Sequence, residues 1–333
     1  MHISSGDLAQ SFSMQTRNTA LKQDIQRLTE ELSSGRIADV RQAVGGNTAY
    51  VNDLERSLTK LDGYGLATVE AGQLADGMQT ALSRIGTLNI DFRSTLLSSS
   101  NSGLDLDAQN VLSEARNALD GVIGALNTSI AGRMIFAGTA TETRPVASSE
   151  TLRTSLSAAV AGAGSVDDIL AAAQNWFDDP AGYGTIGYLG SNTALSPITL
   201  SDTETTQIDV RGDNPKVQDM LRHLAIISLA GDPALGLSQV QQKELIQKTT
   251  GGVFAAVDAM TSLQAEVGLS EHRIEAASVR QSAERSSLEI ARSNLLSSDP
   301  FQTATELEQV QFQLQSLYAI TSRMSQLSLV NFL

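Results

Sequence analysis

The chain has 333 residues, 41% of them hydrophobic but only 4% aromatic, with a single Trp; this balance points to thin helix-on-helix packing through Leu, Val, Ile and Ala rather than a thick globular interior. A net charge of −14 repels phosphate backbones, and no Lys/Arg cluster interleaved with aromatics offsets it, which argues against nucleic acid as a partner. Cysteine is absent, excluding disulfides, thiolate metal sites and a Cys nucleophile, and no run of about 18 apolar residues offers a membrane-spanning helix.

Met1 to Gln10 lack a basic region followed by an apolar core, so no conventional secretory signal is expected. From Asp7 to Leu32, the residues Met14, Leu21, Ile25, Leu28 and Leu32 follow alternating 3/4 spacing, with Asn18 as a polar interruption. That spacing lays one apolar stripe along a helix. Ser33-Ser34-Gly35 ends it, with Gly35 placed for a left-handed C-cap, and Val44-Gly45-Gly46 makes a second break. Asn47 then caps a helix carrying Val51, Leu54, Leu58 and Leu61, continuing less regularly through Val69, Met78, Leu82, Ile85 and Leu88 to about Leu97. Gly63, Gly65, Gly72 and Gly77 weaken it locally. After a polar break from Ser98 to Gly103, another helix is expected from about Leu106 through Val111, Ala115, Leu119, Leu126 and Ile130, ending near Gly132.

Residues 139–215 change in character, with Pro, Gly, Ser and Thr frequent, and read as an inserted domain. Ser165 with Asp167 and Asp168 opens a short helix to about Phe177, and Asp178-Asp179-Pro180 stops it. Extended runs at Thr185 to Leu189, Pro197 to Leu200 and Thr206 to Arg211 fit a small antiparallel sheet. Because the insert begins at Pro145 and ends at Asn214-Pro215, a short linker is expected to replace residues 146–210. Asn214-Pro215 restarts helix through Val217, Leu221, Leu224, Ile227 and Leu229, and a long helical pattern runs from about Ser238 to Leu296, interrupted at Gly251-Gly252 and Gly268.

The last stretch begins at Asp299, a cap, with Pro300 at the first helical position and Gln302 at capping-box spacing. Leu307, Val310, Leu314, Leu317 and Met324 repeat the 3/4 stripe, with Thr321 taking one turn, while Phe312, Tyr318 and Ile320 fall off it. Phe312 lies about 200° round the helix from Val310, so one partner helix does not bury all of this apolar surface. Leu327, Leu329, Val330, Phe332 and Leu333 crowd several faces of the last two turns. The expected assembly interface is therefore Met14, Leu21, Ile25, Leu28 and Leu32 with Leu307, Val310, Leu314, Leu317, Met324, Leu327, Leu329 and Phe332.

The layout is nearly a palindrome. It predicts a mainly α fold: an elongated rod of paired long helices and terminal coiled-coil helices, with a small inserted α+β domain. The expected divisions are 1–44 with 298–333 as a terminal assembly domain, 45–138 with 215–297 as a helical rod, and 139–214 as an outer domain.

No group points to catalysis. None of His2, His223 and His272 has a second His or carboxylate at helical ligand spacing that makes a recognisable metal site. Asp178-Asp179 diverge as neighbours and precede a proline, which makes them a helix stop. Asp202, Glu204, Asp209 and Asp213 fit either a calcium ion without the EF-hand pattern or solvated strand edges. Arg211-Gly212-Asp213 spells an adhesion tripeptide, ordinarily a turn leaving a strand. No enzyme activity and no cofactor are expected.

Four stretches resemble the flagellin family. Leu28 to Arg36 (LTEELSSGR) is similar to its N-terminal turn, although the Asp-Asp-Pro-Ala that usually follows is replaced around Asp39 to Gly46. Gly132 to Pro145 (GRMIFAGTATETRP) resembles the segment before the outer domain of the family's hook-filament junction members, and Leu327 to Leu333 (LSLVNFL) resembles their C-terminal ending. Asn294 to Thr305 (NLLSSDPFQTAT) resembles the entry into the family's last helix. The resemblance implies a secreted structural subunit of the bacterial flagellum, exported without a cleaved signal peptide, that joins hook to filament. It implies as partners copies of itself in a ring or helical homo-oligomer, another hook-associated protein on the hook side, flagellin on the filament side and a flagellar export chaperone, with no nucleic acid and no membrane. Flagellin itself, or a cytosolic helical scaffold, are the alternatives.

Overall fold

Apolar residues at helical spacing set the architecture. The computed structural model describes residues 5–43, 46–101 and 108–330; the protein is mainly α, with two small antiparallel hairpins among the described residues. It divides into two compact units, Met1–Asp62 with Ser282–Leu333, and Gly63–Gln281, whose boundaries fall inside the two longest helices.

The first unit contains α1 (Ser5–Ser34), the short α2 (Val40–Ala43), the start of α3 (Ala49–Asn101), the end of α8 (Gln239–Leu296) and α9 (Pro300–Val330). Gly35 takes φ +67°, the expected left-handed cap. Asn47 Oδ1 accepts from the Ala49 amide at 3.2 Å and so opens α3. Within this unit α3 buries Val51, Leu54, Leu58 and Leu61, and Glu55 pairs with Arg292 of α8 at 3.2 Å and Asp62 with Arg285. The expected break at Val44-Gly45 lies outside the described residues, as do Ser102, Gly103 and the expected helix start at Leu106.

The second unit holds the main core. Along α3, Ala71, Ala75, Met78, Leu82, Ile85, Asn89, Phe92 and Leu96 are all buried at strict 4/3 spacing, the seam of a helix packed along its length. The glycines expected to weaken α3 do not break it, and α3 runs on to Asn101, because tertiary burial outweighs a propensity cost of about 1 kcal/mol per glycine. Two of them face neighbours, and one of these makes room. Gly72 faces Ile274 of α8, and a Cβ built at Gly77 would overlap Cδ1 of Ile130.

Ile130 sits there because α4 (Ala108–Leu126) stops earlier than its pattern predicts. The chain turns instead into a hairpin, β1 (Ser129–Ile130) paired with β2 (Arg133–Met134), through Ala131 at φ +49° and Gly132 at φ +80°. These left-handed angles suit a tight hairpin turn. Gly77→Val is expected to destabilise the second unit by about 1–3 kcal/mol through overpacking, read as a fall of roughly 3–10 °C in Tm; an unchanged Tm would mean that Ile130 does not need the notch.

Residues 139–214 also differ from expectation in part. A helix that the sequence pattern did not reveal, α5 (Ser149–Val160), is capped by Ser148, whose Oγ accepts from the Thr151 amide at 3.1 Å, and buries Leu152, Leu156 and Val160. The next helix, α6 (Val166–Asp178), begins at Ser165 and stops at Asp178-Asp179-Pro180 as expected, with Asp179 Oδ1 accepting from the Ala181 amide. Thr185 to Leu189 is not a strand: a π-helical turn spans Tyr183–Gly187, and Tyr188 then bridges to Val146. The sheet reduces to β3 (Ile198–Thr199) with β4 (Thr205–Thr206).

α7 (Pro215–Leu229) starts on the predicted Asn214 cap with Pro215 at its first position. The glycines at 251, 252 and 268 leave α8 unbroken.

The insert shares its core with the rest of the second unit. Val146, Leu152, Leu156, Val160, Ile169, Phe177, Tyr183, Leu200, Ile208 and Val210 belong to the same core as α3, α4 and α7, and α5 and α6 both pack on α7. A linker in their place would leave that surface open to water.

Candidate assembly interface

Two of the stretches singled out in the sequence meet in the first unit. At the end of α1, the Ser298 amide donates to the Gly35 carbonyl at 3.0 Å and Ser298 Oγ to the Glu31 carbonyl at 3.1 Å. The Ile37 amide donates to the Leu296 carbonyl at 2.9 Å, and Arg36 and Ser297 form an antiparallel bridge. Leu28–Arg36 and Asn294–Thr305 thus form one laced corner, in which the Glu31 carbonyl, already accepting from the Gly35 amide, and the Gly35 carbonyl take donors from the turn between α8 and α9. Glu31 is buried there, accepting from the Ala38 amide at 3.0 Å and pairing with Arg27 at 3.2 Å.

From this corner α9 runs back antiparallel along α1, so that Thr321 comes to lie beside Met14. Asp299 caps α9, accepting from the amides of Phe301 at 2.9 Å and Gln302 at 3.2 Å. The capping box is not closed, because the Gln302 side chain donates to Glu306 instead. Asp299→Ala is expected to cost about 1 kcal/mol and to raise hydrogen exchange at Phe301 and Gln302 about fivefold at that cost; unchanged exchange there would show that the lacing to α1 alone holds the turn.

The seam is thin. Leu21 and Leu28 are buried, Met14 and Ile25 half-buried, and Leu307, Val310, Leu314 and Leu317 half-buried on α9. Leu32 is 40% exposed, while the adjacent Glu31 points inward. Met324, Leu327 and Leu329 lie within α9, whose backbone is described to Val330, whereas Phe332 and Leu333 lie outside the described residues. Asn18 and then Lys22 of α1 lower the phenol pKa of Tyr318.

Outside the seam, Phe12 is 73% exposed, Phe301 84% and Phe312 71%, with Tyr318 and Ile320 also exposed. Sequence patterning anticipated Phe312, Tyr318 and Ile320 but not Phe12 or Phe301, which precede a clear stripe on their helices.

The groups weighed for chemistry are occupied elsewhere. Asp209 and Asp213 both pair with Arg211, Glu204 pairs with Arg280, and Asp202 accepts from the Tyr64 hydroxyl, so the four acids do not gather around a common point. The tripeptide 211–213 is closed, with Arg211 tied to both aspartates and Gly212 against the Tyr188 ring. Among the described residues no cluster of three or more His, Asp or Glu could hold a metal, and no helix is long and apolar enough to cross a membrane.

Comparison with known proteins gives two family matches. The bacterial flagellin N-terminal helical region matches residues 7–141, and the bacterial flagellin C-terminal helical region matches residues 250–333; together they cover more than half of the chain. No curated protein matches closely enough to count as a relative. Among solved structures, Bacillus cereus FlgL is similar with a TM-score of 0.53 at 15% identity, covering 72% of this chain and 99% of that one. A Vibrio parahaemolyticus chain assigned as a flagellar hook-associated protein gives a TM-score of 0.44 at 14% identity, covering 74% of this chain and 96% of that one.

Proposed function

Because the chain belongs to the flagellin family, we propose that it is a structural, non-enzymatic subunit of the bacterial flagellum that joins hook to filament, assembling through its terminal helices. The observation that carries this reading is the α1–α9 pair, a thin seam closed by one laced corner with large aromatic side chains left outside it. Exposed apolar groups of that size on an otherwise paired element mark a surface that neighbours cover. The proposed assembly interface is Met14, Leu21, Ile25, Leu28 and Leu32 with Leu307, Val310, Leu314, Leu317, Met324, Leu327, Leu329 and Phe332. In this reading 1–44 with 298–333 is the terminal assembly domain, 45–138 with 215–297 the rod and 139–214 the outer part.

The partners are copies of the chain itself, another hook-associated protein on the hook side, flagellin on the filament side and an export chaperone before secretion. Export would proceed without a cleaved signal peptide. Flagellin itself is the second reading, since both matched regions are those of flagellin. The junction reading is favoured by Gly132–Pro145 and the Leu327–Leu333 ending, and the fold likeness to FlgL supports it. Gold-labelled antibody on isolated flagella separates them: a single band where hook meets filament is expected, and label spread along the filament would make the chain a flagellin.

A further inference from the structure

We propose that the contact between α7 and α8 at His223 and Gly252 is an acid-sensitive latch, closed around a neutral imidazole and opened when that ring takes up a proton. The geometry comes first. A Cβ built at Gly252 would overlap Cε1 and Nε2 of His223, so the ring occupies the space that only glycine leaves on α8. The Nδ1 of that ring is buried with no hydrogen-bond partner, and the Arg222 guanidinium lies 3.5 Å from Nε2. A neutral ring tolerates this. The guanidinium only donates, so in the neutral ring Nε2 is the acceptor; the added proton would go there, turning that acceptor into a donor that faces a fixed positive charge, a combination that costs far more than a solvated imidazolium.

The surrounding charges do not relieve that cost. On α7 itself Arg222 disfavours the proton, while Asp219, which favours it, is engaged by Arg222 at 2.9 Å. From α8, Lys248 is held by Asp167 of α6 and by Glu244, and Glu266 is held by Lys216 of α7. From α4, Arg116 donates to the Ser228 carbonyl, and from α3, which meets α7 at Asn89 and Met220, Arg93 lies over the Phe254 ring of α8. Burial first, and then Arg222, push the His223 pKa down to about 4 from an ordinary value of about 6.5. The unfolded or opened chain therefore binds the proton more tightly than the closed one. The latch is fully closed above about pH 6.5 and loosens as pH falls towards 4.

The test uses the full-length monomer. Proton NMR of the His223 ring is followed through pH 7 to 3.5 alongside hydrogen exchange on α7, corrected for intrinsic rates. The ring is expected to titrate near pH 4, and protection across α7 to fall by up to about a hundredfold over that range. His223→Asn removes the titrating group, so α7 protection should stay nearly flat between pH 6.5 and 5, where the carboxylates remain charged. Gly252→Ala should displace the ring and return its titration to about pH 6.5. Titration of the native ring at its ordinary value, an unchanged titration in Gly252→Ala, or the same loss of α7 protection in His223→Asn would each overturn the proposal.

Discussion

Leu28→Asp should abolish assembly while leaving the second unit folded. Leu28 is 1% exposed in the α1–α9 seam; its loss removes about 2–5 kcal/mol of packing, and an unpaired carboxylate in the same place adds several kcal/mol more unless it is neutralised. The seam holds few other fully buried residues with which to absorb such a cost. Leu314→Asp, at a half-buried position on the facing helix, should act in the same direction with a smaller effect on the monomer. Trp176, the single Trp, lies in α6 in the second unit, so its fluorescence reports that unit alone. Melting followed at Trp176 should match the wild type within about 0.5 kcal/mol, as for independent sites, while sedimentation shows no assembled material. Normal assembly of Leu28→Asp would remove the terminal pair from the account.

Replacing residues 146–210 by a flexible linker should unfold most of the second unit. Each large apolar side chain withdrawn from its core carries about 1.5–3 kcal/mol of burial, and the segment contributes Leu152, Leu156, Val160, Ile169, Phe177, Tyr183, Leu200, Ile208 and Val210. Their sum exceeds the roughly 5–15 kcal/mol by which a typical domain is stable. Hydrogen exchange on α4 and α7 should therefore become fast in the deletion variant. Protection of both helices at wild-type levels would show that the segment is a separable insert, as its proline-marked ends suggest.

The contrast between those ends and that core shows where sequence reasoning stopped. Caps are local, so Gly35, Asn47, Ser165, Asn214 and Asp299 were legible, each needing only a side chain or a left-handed backbone beside the first or last turn. The two terminal stripes were legible for the same reason, since 3/4 spacing repeats within one helix. Glycines misled because their role here is set by a partner far away in sequence: Gly77 receives Ile130, and Gly252 receives His223. A single chain carries no local mark of such a notch. The helix over Ser149–Val160 was hidden by an Ala/Ser-rich composition that leaves only Leu152, Leu156 and Val160 as its stripe. In the candidate interface, the pairing of Leu28–Arg36 with Asn294–Thr305 could not be read from either stretch, because its bonds all end on backbone carbonyls and most start from backbone amides.

The most direct test of assembly through the terminal helices is Phe312→Asp, scored by counting filaments attached to hooks in cells whose only copy carries the substitution. Phe312 is 71% exposed in the subunit, so the monomer loses almost no burial, and exposed substitutions ordinarily stay within about 0.5 kcal/mol. Secretion of the protein at wild-type levels, with bare hooks and filament protein shed into the medium, is the result the account predicts. Attached filaments in wild-type numbers would contradict it, because the aromatic surface outside the seam would then have no neighbour to meet.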